Sequence, residues 1–217
     1  MNFNEHALRN EMIRVNCILA ERGLIRSSDG NISARLDDNL LLISPSGLYK
    51  SAMSPDDLIV IDLDGKVRQA RAGLRPTSET LMHQEVYRRR PDVNAVVHAH
   101  PPYSTALTIA GRLFPSEYIP EVLVGLGDVP TADYATPGTQ SMADSIRELV
   151  GTHDSILLSH HGSINMGRSL EEALIALERM EHAAFTYWIS LGYDEAVPLP
   201  DIELENLRRI GGRTRPK

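Results

Sequence analysis

Val93-Asn94-Ala95-Val96-Val97-His98-Ala99-His100-Pro101-Pro102 is a short apolar run of strand-forming residues that ends in two histidines one alanine apart. Side chains alternate faces along a strand, so His98 and His100 emerge on the same side, and the two prolines stop the strand directly after them. Two imidazoles converging on one point suit two adjacent ligands of a tetrahedral or five-coordinate cation, for which zinc is the usual occupant. Alone, such a pair can equally be decoration on a strand end, and a partner is needed to decide. Ser155-Ile156-Leu157-Leu158-Ser159-His160-His161-Gly162 supplies one, a second apolar run that also ends in histidines. Three of the eight histidines then stand at the ends of buried strands, which hold them rigidly over one cleft. Of His160 and His161 only one can face the site, because neighbouring strand residues point to opposite faces.

With 217 residues, 42% hydrophobic and 24% charged, the chain is expected to form one domain over 1–217 with a core that needs no staples. A net charge of -7, with no basic cluster beyond Arg88-Arg89-Arg90, argues against a nucleic-acid surface, and the triplet reads as a solvated helix end. Cys17 is the single cysteine, which excludes disulfides within the chain and points to a reducing compartment. Glu5 and Glu11 interrupt the N-terminus, which does not read as a signal peptide, and no run approaches the ~18 apolar residues of a membrane helix. A cytoplasmic location is the expectation.

From Asn4 to Arg22, Ala7, Leu8, Met12, Val15, Ile18 and Leu19 recur at helical spacing, and Gly23 closes the helix. Arg26-Ser27-Ser28-Asp29-Gly30-Asn31 is a turn into a strand, in which Gly30 lets a ligand approach the backbone and the Asn31 amide can donate to an anion, if it is not a plain turn. Leu40–Ser44 reads as a strand, Pro45-Ser46-Gly47-Leu48 as a loop rich in small polar groups, and Leu58–Leu63 as a strand that turns back at Asp64-Gly65. Arg75-Pro76-Thr77-Ser78-Glu79 opens a helix to about Arg90, with Thr77 or Ser78 as N-cap and Glu79 in the first turn, where an acidic residue is commonly a dipole partner. His83, on the same helical face, reads as a hydrogen-bonding or packing neighbour. Tyr103–Ala110 reads as a helix, and Phe114–Val129 is mixed and carries Tyr118 and Glu121. A further helix spans Gln140–Val150. Ser169 and Glu172 form a capping box for the longest helix, which runs to about Leu191 and places His182 and Trp188 in a core or an interface. The tail from Asp201 holds a short helix and then Gly211-Gly212-Arg213, which looks frayed.

Gly30-Asn31, Ser46-Gly47, Thr77-Ser78-Glu79, His98-x-His100, Tyr134-Ala135-Thr136-x-Gly138-Thr139 and His161-Gly162, in this order over nearly the whole chain, resemble the motif set of the class II aldolase/adducin family. The pattern is nearest to that of the L-fuculose-1-phosphate aldolases. The resemblance implies an α/β fold, a three-layer α/β/α domain with a mainly antiparallel central sheet, assembled as a C4 homotetramer with active sites at subunit contacts. It implies His98, His100 and His161 as zinc ligands, and Glu79 as the carboxylate that closes the metal shell at rest and acts as base when substrate is bound. Asn31, Ser46, Gly47, Thr77 and Ser78 match the substrate-phosphate cradle. The expected activity is cleavage of a ketose 1-phosphate to dihydroxyacetone phosphate and an aldehyde.

General chemistry agrees. Breaking a carbon–carbon bond beside a carbonyl requires stabilising an enediolate, through a lysine Schiff base or a metal Lewis acid. Lys50, Lys66 and Lys217 are the lysines, and none reads as a buried amine of lowered pKa, which leaves the metal route, with Mn2+ or Co2+ able to replace Zn2+. Fuculose-phosphate aldolases place a proton-donating tyrosine at the position of Ile119 and another in the tail, whereas here Tyr118 is off by one and no tyrosine follows Tyr193. Tyr118 and Glu121 are the remaining candidates for the general acid. Within the family a methylthioribulose-1-phosphate dehydratase and a sugar-phosphate decarboxylase stay open. A 4-epimerase is disfavoured, because no His-Ala-Asp-Tyr segment lies between Ser116 and Gly127. A metal-free module like the adducin head is disfavoured by the three histidines and Glu79.

Overall fold

The computed structural model describes residues 3–211; of the tail expected to fray, Gly212 and Arg213 lie outside them, as does Lys217. In chain order the elements are α1 (Phe3–Glu21), β1 (Asn31–Arg35), β2 (Leu40–Ile43), β3 (Ile59–Asp62), β4 (Val67–Gln69), α2 (Thr80–Arg89), β5 (Ala95–Ala99), α3 (Pro102–Ile109), α4 (Pro120–Gly125), β6 (Thr131–Ala132), α5 (Gln140–Val150), β7 (Ser155–Leu158), β8 (Gly162–Gly167), α6 (Leu170–Ser190) and α7 (Asp201–Ile210). The strands form one sheet in the order β4-β3-β2-β1-β5-β8-β7-β6, antiparallel throughout except for the β6–β7 pair.

Short polar turns make the first half antiparallel. The Asp37 carboxylate accepts the amides of Asn39 and Leu40 at 2.8 and 2.7 Å between β1 and β2, and Asp62 accepts those of Asp64 and Lys66 between β3 and β4. Each is a side chain doing what a turn's missing backbone acceptors would do. Alternation along the strands then divides the apolar residues between two cores. Ile32, Ala34, Val97 and Ala99 join α1, α3 and α6 on one face, while Leu41, Ile43, Val96 and Ile164 join α2 and α5 on the other. The expected three layers with a mainly antiparallel sheet follow.

The alternation carries function with it. On the α2 face of β1 and β5 lie Asn31, Ser33, Val96 and His98, and the register sets Asn31 directly opposite His98. Gly162–Gly167 carries no strand signal, being Gly-Ser-Ile-Asn-Met-Gly, yet it forms central strand β8, paired with both β5 and β7. Its position is set by neighbours on both sides rather than by propensity.

Four expectations change. The α2 helix begins at Thr80 with Glu79 as its N-cap residue, so the Glu79 side chain is turned out of the first turn and into the sheet. The Arg88-Arg89-Arg90 triplet is not merely solvated, because Arg90 bonds Asp92, Asp154 and the Val150 carbonyl. Along α6 the residues Ala173, Leu177, Met180 and Ala184 are buried, but His182 is exposed and Trp188 is 59% exposed beside Phe185 and Tyr103. The core reading of those two residues fails, because they fall on the outward side of the helix. In the capping box, Ser169 Oγ accepts the Glu172 amide at 3.1 Å, while the Glu172 carboxylate takes the Arg168 amide instead of returning to Ser169.

Candidate active site

β5 ends at the edge of the sheet interior with His98 fully buried. Its Nδ1 donates to the Ser163 carbonyl of β8 at 2.8 Å, because a carbonyl can only accept, and this turns Nε2 toward the centre of the site. His100 follows one pleat later with its Nε2 3.0 Å from that of His98. His161 arrives from the turn between β7 and β8, and the three ring centroids stand 4.8–4.9 Å apart. Gly162 allows this approach, since a Cβ there would fall 2.3 Å from the Ala99 carbonyl oxygen and 2.9 Å from His100 Cδ2. His160 has a φ of 59° and faces Tyr134 instead, so His161 is the member of the pair that joins the cluster. Gly30 plays a packing role of the same kind. A Cβ there would meet Ile25 at 2.6 Å and the His98 carbonyl at 3.0 Å, so the bare glycine makes room for the Ile25 side chain and the β5 backbone.

Glu79 is buried among them. Its Oε2 lies 3.1 Å from His98 Nε2 and accepts from Asn31 Nδ2 at 2.8 Å, and its Oε1 lies 3.4 Å from His161 Nε2. Burial pushes this carboxyl up, but His98 outweighs it, with Asn31 and His161 in support, and holds it well below the usual carboxylate range. The dipole-partner alternative for Glu79 gives way to this arrangement. Burial, with the neighbouring His98, lowers His100 to about 3 and His161 to about 4, so both are neutral near pH 7, as ligating imidazoles must be.

This donor set fits a divalent cation. The ligand atoms of His98, His100 and His161 lie within 4.8 Å of one another, and Glu79 Oε1 is buried with no hydrogen-bond partner among the described residues. Neutral nitrogens and an ionised carboxylate turned on one point are what a borderline cation binds, and without one the buried oxygen stays unpaired.

The Pro45–Pro76 bridge lays the Ser46-Gly47 loop beside Thr77-Ser78, fastened by Ser46 N to the Arg75 carbonyl at 2.9 Å and Thr77 N to the Ser44 carbonyl at 3.1 Å. Ser46, Gly47 and Ser78 are exposed, whereas Thr77 is buried and its Oγ1 accepts the Glu79 amide at 3.3 Å. Asn31 presents its amide nitrogen to Glu79. Gly138 of the 134–139 loop packs against Ser78.

Lys50 departs from its expected place. It is buried, its Nζ donates to the Pro45 carbonyl at 2.8 Å under this same loop, and burial, opposed by Asp29 and Glu79, lowers it to about 8. Its position after a loop gave no hint, because the chain folds back over it through the Lys50 amide bond to the Ser27 carbonyl. Tyr118 and Glu121 are not drawn into the cluster. The Tyr118 ring packs on Tyr187 at 4.9 Å, where burial and Tyr187 push its phenol up, and Glu121 lines an exposed groove with Val122, Ile175 and Arg179.

Residues 10–188 match the model of the Class II Aldolase and Adducin N-terminal domain. The chain is 36% identical to the 5-methylthioribulose-1-phosphate/5-deoxyribulose-1-phosphate aldolase of Rhodospirillum rubrum, over 93% of this chain and 89% of that one. It is 35% identical to the 3-oxo-tetronate 4-phosphate decarboxylase of Escherichia coli, over 83% and 85%. The solved structure of an L-fuculose 1-phosphate aldolase superposes with a TM-score of 0.85 at 29% identity, covering 94% of this chain and 95% of that one.

Proposed function

Because the chain belongs to the class II aldolase and adducin family, we propose that it is a zinc-dependent aldolase cleaving a ketose 1-phosphate to dihydroxyacetone phosphate and an aldehyde. The observation that carries this reading is the buried Glu79 carboxylate held between His98, His161 and Asn31. His98, His100 and His161, with Glu79 at rest, would hold the metal, which when bound supplies Lewis-acid charge against the enediolate oxygens. Glu79 is the base. Released from the histidines by substrate, it takes the proton from C3 of dihydroxyacetone phosphate in the condensation direction and returns it there after cleavage.

Ser46, Gly47, Thr77 and Ser78, with Asn31, form the phosphate cradle, and the buried Lys50 ammonium beneath the Ser46 loop offsets part of the phosphate charge. Hydroxyls and backbone amides suit the anion without a covalent lysine. Tyr118 and Glu121 serve the aldehyde end, contributed across a subunit contact of a C4 tetramer. The exposure of Glu121, together with that of Trp188 and Ile175 on α6, supports this, and light scattering measures the assembly. No described helix is long and apolar enough to cross a membrane, which is consistent with a cytoplasmic enzyme.

The similarity to a decarboxylase favours one second reading, in which the same site stabilises an enediolate formed by loss of CO2. A panel of ketose 1-phosphates, L-fuculose 1-phosphate and 5-deoxyribulose 1-phosphate among them, run beside an oxo-acid sugar phosphate, separates the two. Release of dihydroxyacetone phosphate supports the aldolase, and release of CO2 alone replaces it with the decarboxylase.

A further inference from the structure

Behind Glu79 runs a chain of buried polar groups that the reaction as described does not use. Asn31 Oδ1 meets His83 Nε2 at 2.5 Å, His83 Nδ1 meets Ser33 Oγ at 2.6 Å, and Ser33 Oγ meets the Tyr87 hydroxyl at 2.9 Å. His83 and Ser33 are fully buried and Tyr87 nearly so. Two periodicities bring them together, since His83 and Tyr87 lie four residues apart on one face of α2, with Glu79 at its N-cap, and Asn31 and Ser33 alternate on the facing side of β1.

Donors and acceptors in this chain admit one direction. Ionised Glu79 can only accept, so the Asn31 NH2 faces it and the Asn31 oxygen faces His83. His83 Nε2 must therefore carry a hydrogen. The ring is fully buried, and its hydrogen-bond partners are the neutral Asn31 and Ser33 side chains rather than a carboxylate, so it is neutral and its Nδ1 is bare. The Ser33 hydroxyl then donates to Nδ1, and the Tyr87 hydroxyl donates to Ser33. The opposite tautomer would turn the Asn31 carbonyl toward the carboxylate, two acceptors facing in a buried site.

We propose that His83 is a positioning residue, which as the neutral Nε2–H tautomer, set from behind by Ser33 and Tyr87, locks the Asn31 amide with its NH2 toward Glu79. The Glu79 carboxylate is thereby held at one angle to His98 and His161, and the same NH2 faces the cradle when the carboxylate leaves. The proposal rests on the aldolase reading only for its kinetic consequence, since the tautomer is a property of the protein without substrate.

The test has two arms. In wild-type protein labelled with 13C,15N-histidine, the signal lost in His83→Gln is expected to be a neutral Nε2–H ring that does not titrate between pH 5 and pH 8. An Nδ1–H ring or an imidazolium at pH 6 would overturn the proposal. In the second arm, His83→Leu, which fills the site but cannot donate, is expected to melt at a lower temperature yet stay folded and keep its metal at assay temperature, while lowering kcat by roughly 10- to 100-fold, the scale on which partners of ligating groups act. His83→Gln, whose amide can still donate to Asn31, should recover most of that loss. Equal loss in Leu and Gln variants would make His83 a packing residue and overturn the assignment. A wild-type protein inert toward every ketose 1-phosphate would overturn the aldolase reading, and the tautomer would still decide for or against His83.

Discussion

The two ends of the proposed substrate site are built differently. The metal end is built within one chain, where β1, β5, the β7–β8 turn and the start of α2 bring Asn31, His98, His161 and Glu79 together and backbone groups fix their orientation, as the Ser163 carbonyl fixes His98. The aldehyde end is a surface. Tyr118 rests on Tyr187, Glu121 lines an open groove beside α6, and neither touches the histidines. Residues locked by a sheet keep their geometry whatever the substrate, whereas residues on an exposed helix and its flanking turn can change with the aldehyde. One half of the proposed site is fixed by architecture and the other is free to adapt.

The largest effect should come from the buried end. His98→Ala, or the same change at His100 or His161, should remove most of the bound metal and lower turnover by ~10³-fold or more, since metal charge stabilisation amounts to several kcal/mol. Metal analysis beside turnover checks it. His160→Ala should do neither, and a metal-depleted His160→Ala protein would reverse the choice made within that pair. Next, kcat/KM for a ketose 1-phosphate should exceed that for the free sugar by ~10²-fold or more, because the free sugar forfeits the charge-assisted hydrogen bonds that a phosphate makes to the cradle. A ratio near one would break the cradle.

Acid should act on the buried end as well. In unfolded protein His83 gains its proton near pH 6.5, but in the folded protein only near pH 3. The unfolded state therefore binds more protons between those values, and the stability of metal-free protein should fall as pH drops through that window, by roughly a few kcal/mol from this ring. His100 and His161 add to the same slope, so melting temperatures of His83→Gln against pH should flatten in part, and an unchanged slope would contradict the burial of a neutral ring. The smallest effect should come from the surface end. Tyr118→Phe and Glu121→Gln should lower cleavage yet leave proton exchange on dihydroxyacetone phosphate within about threefold of wild type, since an aldehyde-side donor is not needed for that step. Loss of exchange in either variant would erase the distinction between the two ends.

The same contrast explains how much was legible in the sequence. His98-x-His100 announced itself because strand alternation is an exact period of two, and His161 because it ends a second apolar run. Glu79 was legible as a residue but not as a direction, since its side chain leaves the helix only because α2 begins one residue later at Thr80. Lys50 was misread. Nothing local marks it as buried, and its surroundings come from Ser27 and Pro45 at the ends of other segments. The Ser33–His83–Tyr87 chain was written in two periodicities, four along α2 and two along β1, but only the packing of α2 on β1 brings them face to face. β8 was missed because a strand paired on both sides needs no apolar run of its own.

Exchange of the C3 hydrogen of dihydroxyacetone phosphate with solvent D2O tests the central claim most directly, because it needs no knowledge of the aldehyde. The metal-loaded wild-type protein should exchange one C3 hydrogen stereospecifically. Chelation should abolish the exchange, and Glu79→Gln, with its metal retained, should slow it by ~10²-fold or more, the usual scale for removing a positioned base. Exchange at the wild-type rate in metal-replete Glu79→Gln, or none in the metal-loaded wild type, would contradict the account.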